Sequence, residues 1–241
     1  MQRRPHGCDR LSLEGVHVDD ALMQAPLFSA LDAEAATALR ASMVELRVAR
    51  GDAIFSEGEP GDRMYVILDG KVKLGQTSTD GRESLLAVLG PGEVFGELSL
   101  FDPGPRTATA TAVTDVVVIG LGHDNLRPWL AGRPEVAESL LQALAQRLRR
   151  TNETLADLVF SDVPGRVAKL LLELADKFGQ PGPDGVLVHH DLTQEELAQL
   201  VGASRETVNK ALADFTQRGW IVVDQREVVL VDMERLARRA R

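Results

Sequence analysis

A single cysteine, Cys8, stands in 241 residues. Within one chain this excludes a disulfide framework, a thiolate zinc site and a cysteine-ligated iron–sulfur cluster. A reducing cytoplasm is the expected compartment. Apolar residues never run on for the roughly 18 positions that a membrane span needs. Met1 to about His17 is polar with scattered Arg, and it lacks the apolar segment of a secretory signal. Residues 1–18 read as a disordered tail. Internal repeats and low-complexity tracts are missing too. Basic charge is in deficit: 27 Lys and Arg face 36 Asp and Glu, for a net charge of −9. That argues against a surface that coats nucleic acid along the whole chain. The deficit is uneven. Residues 162–241 hold 11 basic and 13 acidic side chains, so the C-terminal part is nearly neutral and can carry a local basic face.

The patterns that are present divide the chain. Residues from about Asp19 to Leu46 read as helical, with Leu22, Leu27, Phe28, Leu31, Leu39 and Leu46 among Ala-rich polar positions. From Arg47 to Leu121 the texture changes to short apolar runs between turn pairs: Arg50-Gly51, Pro60-Gly61, Asp69-Gly70, Asp80-Gly81 and Gly90-Pro91-Gly92. Asp-Gly pairs are strong hairpin signals. The runs Met64–Leu68, Val72–Leu74, Leu85–Leu89 and Val113–Leu121 predict a β-roll, a jelly-roll-like barrel. A long helix follows from about Pro134 to Phe160. Its seam is Ala137, Leu141, Leu144, Leu148, Thr151, Leu155 and Leu158, spaced alternately four and three. This is a heptad pattern suited to a homodimer coiled coil, with one polar break at Thr151. Asp162-Val163-Pro164-Gly165 interrupts the pattern and starts a helix that Gly179 ends. Gln180–Gly185 reads as a loop. The expected fold class is α+β. Its parts are the tail (1–18), a ligand-binding barrel domain (19–133), a dimerisation helix (134–161) and a C-terminal domain (162–241).

Residues 193–217 carry the most specific signal. Thr193-Gln194-Glu195-Glu196 is a capping box. Its helix continues through Leu197, Ala198, Leu200 and Val201, and Gly202 supplies a sharp turn. Ser204 caps a second helix, in which Val208, Leu212 and Phe215 share one face. Arg205, Glu206, Asn209 and Lys210 share another. This is helix-turn-helix geometry, with the reading helix exposing Arg and Glu at its N-terminal end. Arg bonds guanine O6 and N7 as a fork, and Glu accepts from cytosine N4. Lys210 reaches a second guanine or a phosphate, while Ser204 and Thr207 suit phosphate contacts. Gly219–Val223 and Val228–Val231 flank Asp224–Glu227 as a hairpin wing, so the module reads as a winged helix. Adjacent His189 and His190 on a strand point apart and do not make a metal site.

A second constellation is Glu93-Val94-Phe95-Gly96-Glu97-Leu98-Ser99, followed by Pro103-Gly104-Pro105-Arg106-Thr107-Ala108. Gly96 permits close backbone approach. A short helix opening at Glu97–Ser99 aims backbone amides at an anion. Arg106 is a bidentate partner for phosphate oxygens. Glu97 beside an anion makes sense if it accepts from a sugar hydroxyl. Phosphate and sugar together imply a nucleotide.

The pattern G-E-L-S…R-T-A resembles the phosphate-binding cassette of cyclic-nucleotide-binding domains. G-A-S-R-E-T-V resembles the recognition helix of the cyclic-AMP receptor protein (CRP/FNR) family. The resemblance extends from about Asp20 to Arg241. D-V-P-G-R-V-A and G-A-S-R-E-T-V-N-K-A-L-A-D-F are most similar to its actinobacterial branch. It implies a cytoplasmic transcription regulator, not an enzyme, that takes 3′,5′-cyclic AMP as an allosteric ligand and uses no metal. Its partners are a second copy of the chain, double-stranded DNA and RNA polymerase. Gly96, Glu97, Leu98 and Ser99 would hold ribose and phosphate, and Arg106 and Thr107 the cyclic phosphate. Thr151 and Asn152 would meet the adenine, Asn152 from the partner chain. Arg205, Glu206 and Lys210 would read an approximate TGTGA…TCACA palindrome. Lys210 stands where the family pattern has Arg, and Asn152 where it often has Ser. An Arg-Thr pair like Arg106-Thr107 also occurs in cyclic-GMP sites. Within the family, iron–sulfur sensing lacks its cysteines here. Haem sensing has only His123 near the barrel end.

Overall fold

The computed structural model describes residues 43–240 apart from 79, 103 and 126–133. Most of the expected helix between Asp19 and Leu46, and the expected tail with Cys8, lie outside the described residues. The last residues of that helix are instead a strand, β1 (Val44–Val48), paired antiparallel with β8 (Val116–Gly122). Leu46 and Val48, two positions apart, both pack on the barrel core. That is the period of a strand, not of a helix.

Between these strands lie β2 (Ala53–Phe55), β3 (Arg63–Asp69), β4 (Val72–Thr77), β5 (Glu83–Leu89), β6 (Val94–Phe95), the one-turn helix α1 (Leu98–Phe101) and β7 (Thr109–Ala112). They form two four-stranded sheets, ordered β1-β8-β3-β6 and β2-β7-β4-β5. Phe55, Leu74 and Ala110 from one sheet and Tyr65, Phe95 and Val118 from the other are buried in one cluster, so the sheets close face to face. The run Val113–Leu121, expected as one strand, is divided: residues 113–115 turn the chain between β7 and β8.

Helix α2 (Pro134–Phe160) spans 27 residues, about 40 Å at 1.5 Å per residue. Its seam faces open solvent: Leu141, Leu148 and Leu155 are 66%, 62% and 57% exposed. Helix α3 (Val163–Phe178) starts as expected. Asp162 accepts from the Gly165 amide at 2.9 Å, and Pro164 occupies the first turn. Gly179 caps its end in an extended conformation. The expected loop Gln180–Gly185 is in part a strand. Here β9 (Gly179–Gly182) pairs with β10 (Gly185–His189), and Pro183 and Asp184 form the turn between them. Pro181 is tolerated because β9 is an edge strand.

Helices α4 (Gln194–Val201) and α5 (Arg205–Gln217) follow, then the hairpin β11 (Ile221–Asp224) and β12 (Glu227–Leu230), and α6 (Met233–Arg239). Leu171, Leu174, Leu197, Val208, Phe215 and Leu230 belong to the core of this C-terminal unit, and Val88 and Val113 of the barrel are buried in the same cluster. Among the described residues, no helix is long and apolar enough to cross a membrane. Among the same residues, no group of three or more His, Cys, Asp or Glu could hold a metal ion.

Candidate nucleotide pocket and DNA-reading helix

Strand β6 ends at Phe95, and the chain must then turn without blocking the barrel mouth. Gly96 makes that turn at φ +74°, and a Cβ there would lie 2.8 Å from Arg106 Nη1. A side chain at this position would be strained and would displace the arginine. Arg106, only 3% exposed, donates through Nη1 to the Gly96 carbonyl at 2.7 Å and through Nη2 to the Arg63 carbonyl at 2.8 Å. Its guanidinium lies 4.2 Å from the centre of the Phe55 ring, a cation–π contact that holds the fork flat. Burial pulls its pKa below the ordinary arginine value, but the group stays protonated. Arg106 Nε is buried without a hydrogen-bond partner among the described residues.

Glu97, 2% exposed, accepts from Arg147 Nη1 at 2.8 Å through Oε1. Its Oε2 is buried and unpartnered among the described residues. Arg106 and Glu97 line one cavity, and a buried polar atom left unpartnered on each is costly in a folded protein. Together they fit a ligand that carries both an anion and a hydroxyl. Gly96, Glu97, Leu98, Ser99, Arg106 and Thr107 all line this cavity, with Phe55, Leu74, Ala108 and Arg147. Thr107 is exposed, and its carbonyl accepts from Gln76 Nε2 at 2.6 Å. Ser99 is buried, with Oγ 3.5 Å from the Pro105 carbonyl.

Thr151 and Asn152 do not line the cavity. Both are exposed on α2, where Thr151 Oγ1 donates to the Arg147 carbonyl at 3.0 Å. Sequence reasoning missed Arg147. The available signal was a cation one helical turn before the polar break in the seam, on the same face as Thr151.

In the C-terminal unit the capping box is complete. Thr193 Oγ1 accepts from the Glu196 amide, and Glu196 accepts from the Thr193 amide. Gly202, at φ +67°, turns the chain from α4 into α5. Ser204 Oγ accepts from the Thr207 amide at 3.2 Å and contacts Thr207 Oγ1 at 2.9 Å. Both hydroxyls therefore serve the cap. Val208, Leu212 and Phe215 face inward, and Phe215 stacks on Trp220 at 5.4 Å. Arg205, Glu206, Thr207 and Lys210 are exposed, and Asn209 is half-buried. Lys210 Nζ donates to Glu206 Oε1 at 2.8 Å across one turn, an exposed pair that costs little to open. Arg166 ties this motif to the long helix: it donates to the Ser161 carbonyl at 2.7 Å and to the Val201 carbonyl at 2.9 Å.

A barrel with a buried arginine–glutamate cavity, followed by a long helix and a winged helix-turn-helix, defines a class of ligand-controlled DNA-binding proteins. Comparison with known proteins agrees with that class. Residues 45–132 match the cyclic nucleotide-binding domain, and residues 165–239 match the Crp-like helix-turn-helix domain. A CRP-like cAMP-activated global transcriptional regulator of Mycobacterium tuberculosis is 56% identical over 224 residues, covering 93% of this chain and all of that protein. The cyclic AMP receptor protein of Thermus thermophilus is 38% identical over 188 residues, 76% of this chain and 84% of that protein. The crystal structure of a CRP-family transcriptional regulator, also from Thermus thermophilus, superposes with a TM-score of 0.69 at 32% identity, covering 81% of this chain and 96% of the other. The chain belongs to the CRP/FNR family of transcription regulators.

Proposed function

We propose that the chain is a cytoplasmic, homodimeric regulator that binds a TGTGA-N6-TCACA-like palindrome in response to 3′,5′-cyclic AMP. The observation that carries this reading is that Arg106 and Glu97, each with a buried polar atom unpartnered among the described residues, line one cavity. Arg106 and Thr107 would hold the cyclic phosphate. Glu97 would accept from the ribose hydroxyl, and Gly96, Leu98 and Ser99 would shape the floor. Thr151, with Asn152 from the second copy, would meet the adenine. The relative at 56% identity is named for activation by cAMP. On this reading residues 19–133 bind ligand, 134–161 dimerise and 162–241 read DNA.

The exposed seam Leu141, Leu148 and Leu155 is the surface for the second copy. Arg147 lies on the same helix as that seam and bonds Glu97. A ligand that changes the Glu97–Arg147 contact thereby biases α2, and Arg166 carries the bias from the end of α2 to the helix-turn-helix. Two half-sites centred about 11 base pairs apart fall on one face of the DNA, near one helical turn, as a twofold dimer requires. Arg205 and Glu206 would read base edges, with Lys210 beside them. Ser204, Thr207 and Asn209 would lie along the backbone. RNA polymerase is the expected downstream partner. Calorimetric titration of the full chain tests the ligand: cyclic AMP should give a saturable heat near one equivalent per chain, and no heat beyond dilution would refute the reading.

A further inference from the structure

The pocket and the DNA-reading unit also meet inside one chain, without the long helix. Strand β4 makes the connection. Leu74 lines the cavity, and Gln76 donates to the Thr107 carbonyl beside it. The residue before Leu74 points to the other face of the strand. There Lys73 Nζ contacts Glu196 Oε1 at 2.5 Å. Glu196 is the capping residue of α4, so the barrel grips the start of the first helix of the motif. Lys71, just before β4, reaches Asp191 Oδ2 and the His189 carbonyl, both at 2.5 Å, and sits 5.0 Å over the Phe178 ring. Arg50 donates to the Asp191 carbonyl at 3.2 Å. In the opposite sense, Lys177 of α3 bonds Glu93 and the Val88 carbonyl of the barrel. Each ion pair is mostly shielded, and Val88 and Val113 seal the contact with the C-terminal core. Pairs held this far from water couple more strongly than those on an open surface.

We propose that β4 is an intrachain strut, joining the nucleotide pocket to the first helix of the DNA-reading motif, with Lys71 and Lys73 as positioning residues for that helix. Leu74 and Gln76 register the state of the cavity, and Lys73 imposes it on Glu196 at the start of α4. This supplies a second coupling route beside α2, and it operates within each protomer. Burial works to raise the Glu196 pKa, yet its bonds to Lys73 and Thr193 outweigh that and hold the carboxyl below its ordinary value. The Glu196 carboxyl is therefore ionised throughout the neutral range.

The inference rests on cyclic-AMP control of DNA binding, so the test begins with the unaltered full chain. Its affinity for the palindrome is measured with and without saturating cyclic AMP, and the ratio is the coupling. An unaltered chain with a ratio of one refutes the functional reading and takes the strut with it, before any variant is made. Given the expected tightening of at least fivefold, Lys73→Glu should bring the ratio to within twofold of one. Lys73→Gln should cut it more than twofold, and Lys73→Arg should keep it. By linkage, the effect of DNA on cyclic-AMP affinity must change by the same factor; a merely structural lysine would lower the melting temperature and leave both ratios as they are in the unaltered chain. A ratio within twofold of the unaltered value in Lys73→Glu overturns the strut. If a low melting temperature shows Lys73→Glu to be misfolded, Lys73→Gln decides by the same twofold criterion.

Discussion

Replacing Glu97 by Gln changes the charge of one buried group while keeping its shape. In the folded chain Glu97 Oε1 is occupied by Arg147, and Oε2 has no partner among the described residues. If a ribose 2′-hydroxyl donates to that second oxygen, the bond is to a charged acceptor and is worth about 1.5–3 kcal/mol. That corresponds to a factor of about 10–150 in dissociation constant. The amide oxygen of the substituted side chain can still accept from Arg147, and Arg147 is open enough to water to tolerate a neutral partner. Stability should therefore change by no more than about 1 kcal/mol. The assay is a cycle of four calorimetric titrations, in which each protein is titrated with cyclic AMP and with its 2′-deoxy analogue. The unaltered chain should prefer cyclic AMP by about 10–150-fold, and Glu97→Gln, whose amide can still donate to the hydroxyl, should keep only the smaller preference of a neutral hydrogen bond, about 2–10-fold. A variant that still discriminates as strongly as the unaltered chain refutes the assignment of Glu97 to the sugar.

Burial at 2% exposure depresses the His190 pKa to about 4, and its Nδ1 accepts from the Leu192 amide. The unfolded chain then binds a proton that the folded one refuses. Stability is full above about pH 6.5 and falls as pH drops toward 4, with a loss of about 2 kcal/mol at pH 5. Urea midpoints at pH 7.5 and 5.0 should show that loss and His190→Gln should remove it; an unchanged slope in the variant contradicts the origin in His190. Glu206→Ala should relax specificity at one base pair of the half-site by about 1–3 kcal/mol. Uniform weakening across all sequences would show that Glu206 is not a base reader. Leu148→Asp combined with Leu155→Asp should give a monomer in sedimentation, and a persistent dimer would place the interface elsewhere.

The parts of the fold with a strong local period were legible in the sequence. Asp162, Thr193, Gly202 and Ser204 each signal a helix boundary by their own chemistry, and each sits at that boundary. The Arg106 cassette was legible because few residue types can bury a cation beside a glycine turn. The strand β1 was not, since a five-residue segment beginning Val44-Glu45-Leu46 fits either period until its partner β8 is known. Strand β9 was missed because Pro and Gly dominate Gly179–Gly182, and only pairing with β10 makes it extended. Arg147 and Lys73 escaped notice for a related reason. Each looks like a solvated surface cation, and only the tertiary contact reveals a shielded carboxylate waiting for it.

Arg106 carries a further lesson for any test of the pocket. It satisfies the Gly96 and Arg63 carbonyls, so truncating it would remove the proposed phosphate contacts and also orphan two backbone acceptors, each at about 1–3 kcal/mol. An Arg106→Ala variant mixes both effects. Glu97→Gln leaves both carbonyls bonded to Arg106 and so avoids that mixture.

If cyclic AMP controls DNA reading by this chain, the nucleotide must change its affinity for the palindrome. The most direct measurement is the equilibrium affinity of the full chain for a labelled TGTGA-N6-TCACA duplex at fixed salt, with and without saturating cyclic AMP. The nucleotide should tighten binding at least fivefold, and scrambling both half-sites should weaken it. Equal affinity with and without cyclic AMP, or equal affinity for the scrambled duplex, would contradict this reading.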